Sequence, residues 1–253
     1  MKDLFSFQAK DYATYRPRYP ESLYQFILSH VSRFDCAWDC ATGNGQVAVV
    51  LSRSFREVYA TDISSSQLKY AQGAPNLFYS IRPAETFGIG GAPNGAFQNN
   101  CFDLVTVGQA LHWLNLNPFY QELDRVLRPG GVFAAFGYSI CTISPAIDEI
   151  ITAFYSQTVG PYWDPARNLV ENKYQTLPFP FIEKEAPLFY QVLEWDLQHL
   201  QGYLSSWSAT QAFIKKEGYD PLPAVIQKLK NLWKEDLKLQ VTFPIFMRLS
   251  IKP

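Results

Sequence analysis

The residues Asp39-Cys40-Ala41-Thr42-Gly43-Asn44-Gly45-Gln46 lie between a short apolar stretch and a helix-forming one. Glycine at 43 and 45 lets the backbone turn with positive φ and leaves room for a ligand against the main chain. The start of the next helix adds N–H groups with no intrahelical partner. Asp62, 17 residues beyond Gly45, ends the next apolar stretch. An acid at a strand end faces the crevice of an open sheet, where it can accept hydrogen bonds from a ribose diol. The chemistry this pattern suits is nucleoside binding.

Two cofactors use such a layout. Gly43-x-Gly45-x-x-Ala48 satisfies the dinucleotide fingerprint with alanine in the third place. That cofactor must seat a pyrophosphate, which a carboxylate at Asp39 would repel. The same carboxylate would attract an ammonium. S-adenosylmethionine carries an amino-acid end and a ribose but no phosphate, so Asp39 favours it.

The elements that must position these residues alternate. Strands are predicted at 37–40, 57–62, 77–81, 102–108 and 132–138, and helices at 21–32, 46–53, from Ser64 as cap to about 72, and 116–127. Arg128-Pro129-Gly130-Gly131 reads as a stop signal and turn, and Phe87–Gln98 as a loop. This pattern predicts an α/β fold, a doubly wound Rossmann-like sheet that is mostly parallel. Beyond residue 140 the alternation loosens. Helices are predicted at 145–156, 200–216 and 222–237, a strand at 190–197, and irregular chain over 160–187. Leu239–Ile251 is expected to close the sheet as an antiparallel edge strand. The expected organisation is an N-terminal arm and helix acting as a lid (1–35), a cofactor-binding core (36–139) and a helical cap with sheet-closing strands (140–253).

The sequence resembles the class I S-adenosylmethionine-dependent methyltransferases. The family's loop runs acid-x-Gly-x-Gly-x-Gly, and here Ala41 stands in place of the first glycine. Ordered matches follow at Asp62-Ile63-Ser64 with Gln67-Leu68, at Ala84-Glu85, at Phe102-Asp103-Leu104-Val105 and at Leu127-Arg128-Pro129-Gly130-Gly131. Tyr12-Ala13-x-Tyr15-Arg16-Pro17-x-Tyr19-Pro20, Ala110-Leu111-His112-Trp113 and Ser206-Trp207-Ser208 further resemble the group that includes trans-aconitate methyltransferases. The resemblance implies a methyltransferase of type 11 that uses S-adenosyl-L-methionine and releases S-adenosyl-L-homocysteine. It also implies a small-molecule acceptor, with a carboxylate as one such acceptor.

Candidate cofactor residues are therefore Asp39, Ala41, Thr42, Gly43, Gly45, Asp62, Ile63, Gln67, Ala84, Glu85 and Gln109. His112 and Tyr15 are the candidates for catalysis, His112 as a base or as an orienting group. Arg16, Tyr19, Trp113 and Trp207 are the candidates for the acceptor, Arg16 because a guanidinium can hold a carboxylate. Each has a plainer role: Asp39 fixing the loop's own N–H groups, Asp62 capping a helix, and the aromatic residues packing in the core. Two other functions fit the same sequence. An NAD(P)-dependent oxidoreductase would bind NAD, and a non-catalytic S-adenosylmethionine-binding protein would bind the cofactor without turnover.

Composition narrows the field. The 253 residues carry 22 basic and 23 acidic side chains, an even balance that argues against nucleic acid as partner. Four scattered cysteines with no CxxC and three histidines argue against a metal site and suit a reducing, cytoplasmic compartment. No apolar run is long enough to span a membrane, and Met1-Lys2-Asp3-Leu4-Phe5 lacks the apolar stretch of a secretion signal. The oligomeric state has no signature in the sequence.

Overall fold

A computed structural model describes residues 14–86, 98–234 and 236–253. The chain runs through α1 (Glu21–Ser29), β1 (Cys36–Cys40), α2 (Ala48–Leu51), β2 (Glu57–Asp62), α3 (Ser65–Leu68), β3 (Leu77–Ile81), β4 (Phe102–Gly108), α4 (Leu116–Val126) and β5 (Leu127–Tyr138). It continues through α5 (Pro145–Ala153), α6 (Arg167–Glu171), β6 (Ile182–Lys184), β7 (Phe189–Trp195), α7 (Leu197–Ser205), α8 (Ser208–Glu217), α9 (Leu222–Lys230) and β8 (Leu239–Ile251). The sheet order is β3-β2-β1-β4-β5-β8-β6, with β7 also paired to β8. Strands β1 to β5 are mutually parallel, and β8 runs antiparallel to β5.

Parallel strands are covered on both faces, and their residues alternate between two cores. Along β5, Val132, Ala134 and Phe136 join one apolar cluster with Leu23, Ile27 and Leu51. Phe133 and Ala135 join the other with Trp38, Phe119 and Leu123. At the N-terminal end of the sheet Asp103 ties three segments together. Its carboxylate accepts the N–H groups of Asp35 and Cys36, each at 2.9 Å, and pairs with Arg128 at 2.6 Å. These contacts set the register from which the strand ends at the opposite edge project.

The helix expected over 222–237 ends at Lys230, the stretch 160–187 expected to be irregular contains α6 and β6, and three further sequence expectations change. First, β8 is not the edge strand. It lies between β5 and the β6/β7 pair, which share its other side, β7 against 239–245 and β6 against 249–251. Arg248 sits within β8, yet it is buried because Glu183 and the carbonyl oxygens of Tyr174 and Leu177 receive its guanidinium. Second, the helix expected over 200–216 is two helices. Ser206 and Trp207 interrupt it, and the side chains of Ser206, Thr210 and Gln211 donate to the carbonyls of Tyr203, Leu204 and Ser205, the first two of which also accept the N–H groups of Ser206 and Trp207. Third, Arg128–Gly131 is already part of β5. Leu127 pairs with Phe102, the register shifts before Leu104, and Gly130 turns at φ 76 so that residues 130 and 131 bond the backbone of Lys252.

Candidate active site

The C-terminal ends of β1, β2 and β4 open into a cleft. The sheet side is lined by Ala41, Gly43, Asp62, Ile63, Ser64, Gln67, Gly108, Gln109 and Ala110. The opposite wall comes from the N-terminal arm and the segment after β5, with Arg16, Trp163, Arg167, Tyr203 and Trp207, while His112 and Trp113 lie between.

The loop after β1 takes a left-handed conformation three times, at Ala41 (φ 55), Gly43 (φ 58) and Gly45 (φ 78). Glycine needs no compensation there, whereas Ala41, in the place of the family's first glycine, carries the strain of a Cβ. Gly45 has a second reason to be glycine, since a Cβ would lie 2.1 Å from the Tyr79 hydroxyl. The loop is held to the sheet by Thr42 N–H on the Thr61 carbonyl at 2.9 Å.

Asp62 joins the loop to β2. Its Oδ2 accepts the Gly43 N–H and its Oδ1 the Ser64 N–H, each at 2.8 Å. A carboxylate oxygen can accept two hydrogen bonds, so these contacts orient it while leaving the geometry suited to a diol. Ser64 caps α3 as expected, accepting the Gln67 N–H at 3.3 Å. Among the described residues this sheet-side donor set contains no cation, and the cationic side chains that line the cleft, Arg16 and Arg167, are on the opposite wall. It fits a phosphate-free nucleoside better than a pyrophosphate.

Asp39 lies beneath the loop rather than on the cleft wall. It is 1% exposed, its Oδ1 accepts Thr106 Oγ1 at 2.7 Å, and its Oδ2 accepts the Thr42 hydroxyl. Burial pushes its carboxyl up to about 6, although the hydroxyls of Thr42 and Thr106 and the Ala48 N–H favour the charged form. The plainer role, fixing the loop itself, is thus what its contacts display.

Gln109 also takes a positive φ, 52. Its Oε1 accepts the Tyr138 N–H at 2.8 Å, so its side chain continues the β4–β5 pairing past the strand end. His112 Nδ1 lies 3.0 Å from the Tyr174 hydroxyl, and its ring packs 4.6 Å from Trp113. Burial, reinforced by the charge of Arg167, pushes His112 down to about 3, so the imidazole is neutral near pH 7 and a weak proton acceptor. Trp207 is buried, with rings of Phe154 at 5.8 Å and Trp163 at 5.7 Å around it, yet one part of it reaches the cleft.

Several expected residues do not line the cleft. Tyr15 packs against His199 at 5.2 Å and over Gly202. Tyr19 meets Phe136 edge-on at 4.7 Å. Glu85 accepts the Asn115 N–H at 3.0 Å, at the entrance to α4, and Ala84 is buried in the second apolar cluster. Thr42 and Gly45 shape the loop from behind. Arg16 does line the cleft, but Nη1 donates to the Tyr138 hydroxyl at 3.0 Å and Nη2 to the Ser206 carbonyl at 2.7 Å. Tyr12 and the loop expected at Phe87–Gln98, apart from Gln98, lie outside the described residues. Sequence reasoning missed Trp163, Arg167 and Tyr174. All three lie in the stretch read as irregular, and its aromatic density was the available signal.

A doubly wound sheet whose last strand is antiparallel, with glycines after β1 and an acid ending β2, defines the methyltransferase type of nucleoside-binding fold. Comparison with known proteins agrees. Residues 38–135 match the methyltransferase domain model. A candidate methyltransferase of Dictyostelium discoideum is 33% identical over 99% of this chain and 95% of its own. A candidate type II methyltransferase from Anaeromyxobacter dehalogenans superposes with a TM-score of 0.83 at 35% identity, covering 93% of this chain and 97% of that one. A candidate S-adenosylmethionine-dependent methyltransferase of Saccharomyces cerevisiae is 28% identical over 53% of this chain and 46% of its own. The chain belongs to the class I S-adenosylmethionine-dependent methyltransferases. The oxidoreductase reading is not favoured by these relatives. No helix among the described residues is long and apolar enough to cross a membrane.

Proposed function

We propose that this protein transfers the methyl group of S-adenosylmethionine to a small-molecule acceptor held in the cleft between the sheet ends and the segment 140–253. The observation that carries the reading is the facing of two unlike walls. One carries the left-handed Ala41–Gly43 turn and the Asp62 carboxylate, an arrangement that suits a phosphate-free nucleoside, the other the aromatic side chains of Trp163, Tyr203 and Trp207. When bound, the cofactor supplies a methyl group that is already electrophilic.

The chain's own residues then have four tasks. Asp62 accepts the ribose hydroxyls, and Ile63 and Gln67 border the nucleoside. Gln109, rigidly paired to β5, borders the transferring group. Asp39 holds the loop and, through Thr42, gives the methionine end a negative field. Glu85 and Ala84 support the adenine side from behind.

Proximity and exclusion of water supply the rate. A carboxylate acceptor, which the likeness to the trans-aconitate group suggests, is already ionised and requires no base. The neutral, weakly basic His112 suits an orienting role. All four cysteines are free thiols, in keeping with a reducing compartment such as the cytoplasm. Calorimetric titration with S-adenosylhomocysteine and with NAD tests the reading. Binding of the first and not the second is expected, and binding of NAD alone would end it. Binding without methyl transfer to any of a broad set of small acceptors would favour a non-catalytic binder.

A further inference from the structure

Arg16 was expected to hold a carboxylate, but its fork is spent on Tyr138 and Ser206. The other cation that lines the cleft among the described residues is differently placed. Arg167 opens α6 on the wall facing His112 and Trp113. Its guanidinium lies over the Trp163 ring at 5.0 Å and the Tyr155 ring at 5.8 Å, and its Nε donates to the Tyr155 hydroxyl at 3.1 Å. Tyr155 in turn bonds Glu171. The plane and azimuth of the guanidinium are therefore fixed by groups that leave its outer edge alone. Among the described residues Nη1 and Nη2 donate no hydrogen bond, and no carboxylate forms an ion pair with Arg167.

We propose that Arg167 selects the methyl acceptor, receiving a carboxylate of that molecule on Nη1 and Nη2 in the aromatic half of the cleft. The inference rests on the methyltransferase reading above and assigns the acceptor side of it to one residue. A preorganised guanidinium edge matches a carboxylate through two parallel N–H···O bonds. A phosphate dianion would require more positive charge than this wall holds. Among the described residues no lysine lines the cleft, and Asp164, whose Oδ1 accepts the Ala166 N–H, stands on the same side. The neighbouring rings of Trp113, Trp163 and Trp207 suit a planar or unsaturated body attached to the carboxylate.

The test uses the full chain and two matched pairs of probes, benzoate with benzamide and crotonate with crotonamide. Binding is followed by the fluorescence of the cleft tryptophans, with and without saturating S-adenosylhomocysteine. The wild-type protein is expected to bind each carboxylate at least tenfold more tightly than its amide. Arg167→Gln is expected to bring each pair within twofold, and Arg167→Lys to keep an intermediate preference. Equal binding of acid and amide by the wild type, or an undiminished preference in Arg167→Gln, would overturn the assignment. Tighter binding of inorganic phosphate than of either carboxylate would overturn it as well. Calorimetry with S-adenosylhomocysteine on the same samples separates the two readings. Loss of cofactor binding in the wild type defeats the methyltransferase reading, whereas retained cofactor binding without carboxylate preference defeats only the role of Arg167. Retained cofactor binding in Arg167→Gln also shows that the variant is folded.

Discussion

The Asp62 carboxylate accepts the N–H of Gly43 at 2.8 Å, joining the end of β2 to the turn that follows β1. One side chain thereby shapes the loop and presents an acceptor beside it. Replacing it by alanine removes both effects and leaves buried donors unpaired. Asp62→Ala is expected to weaken S-adenosylhomocysteine binding by about 1–3 kcal/mol, measured by calorimetry. Unchanged affinity in a folded variant would remove Asp62 from the ribose site.

Gly45 and Gly218 provide a matched comparison. Both take positive φ, 78 and 80, but a Cβ at 45 meets the Tyr79 hydroxyl at 2.1 Å, while one at 218 meets nothing within 4 Å. Gly218→Ala should cost about 0.5–1 kcal/mol, the left-handed penalty of about 1–2 kcal/mol less the about 0.5–1 kcal/mol of chain entropy that alanine removes from the unfolded state. Gly45→Ala should cost more, and should also weaken the cofactor, because Tyr79 or the loop must move. Denaturant unfolding of both variants checks this. Equal losses would show that the loop yields freely.

Ala41 takes φ 55 without being glycine. Ala41→Gly relieves about 1–2 kcal/mol of left-handed strain and adds about 0.5–1 kcal/mol of chain entropy to the unfolded state. A small net gain in stability is expected, with cofactor affinity kept. A lower midpoint in urea would mean that the Ala41 methyl contributes packing worth more than its strain.

The pH dependence of stability has two opposed parts. Asp39 titrates near 6 in the folded protein against 3.8 in the open chain. Between those values the unfolded state has released a proton that the folded state keeps, so stability falls as pH rises, by about 3 kcal/mol over the full window. His112 titrates near 3 against 6.5, so the unfolded state takes up a proton that the folded state refuses, and stability falls as pH drops below 6.5. In the wild type the two slopes offset each other between about pH 4 and 6. Asp39→Asn should unmask the second slope, giving a stability that climbs steadily from pH 4 to 6.5. A variant whose slope matched the wild type in urea titrations would place the Asp39 ionisation at its ordinary value.

The sheet was legible because its central strands are apolar almost throughout, as in Phe102–Gly108 where only Asp103 and Thr106 are polar, a pattern that a strand covered on both faces requires. The cradle was legible for a similar reason: glycine at positive φ and an acid at a strand end are local necessities. What lay hidden depends on contacts distant in sequence. Leu239–Ile251 alternates only over its first half, where β7 covers it, and the burial of Arg248 is explained only by Glu183 and by carbonyls some 70 residues away. The break at Ser206–Trp207 uses side-chain caps that a helical pattern tolerates. Arg167 lay in a stretch whose prolines and aromatics gave no period, and only its stacking on Trp163 gives it a direction. Tyr15 and Glu85 matched a motif in type and spacing, yet Gly202 and the Asn115 N–H take them first.

A crystal of the protein soaked with S-adenosylhomocysteine tests the central claim most directly. The ribose diol is expected on Asp62, with the nucleoside spanning Gly43 and Ile63 and the sulfur directed toward Gln109 and His112. Density for the ligand elsewhere, with the space between Gly43 and Asp62 filled only by solvent, would contradict the account.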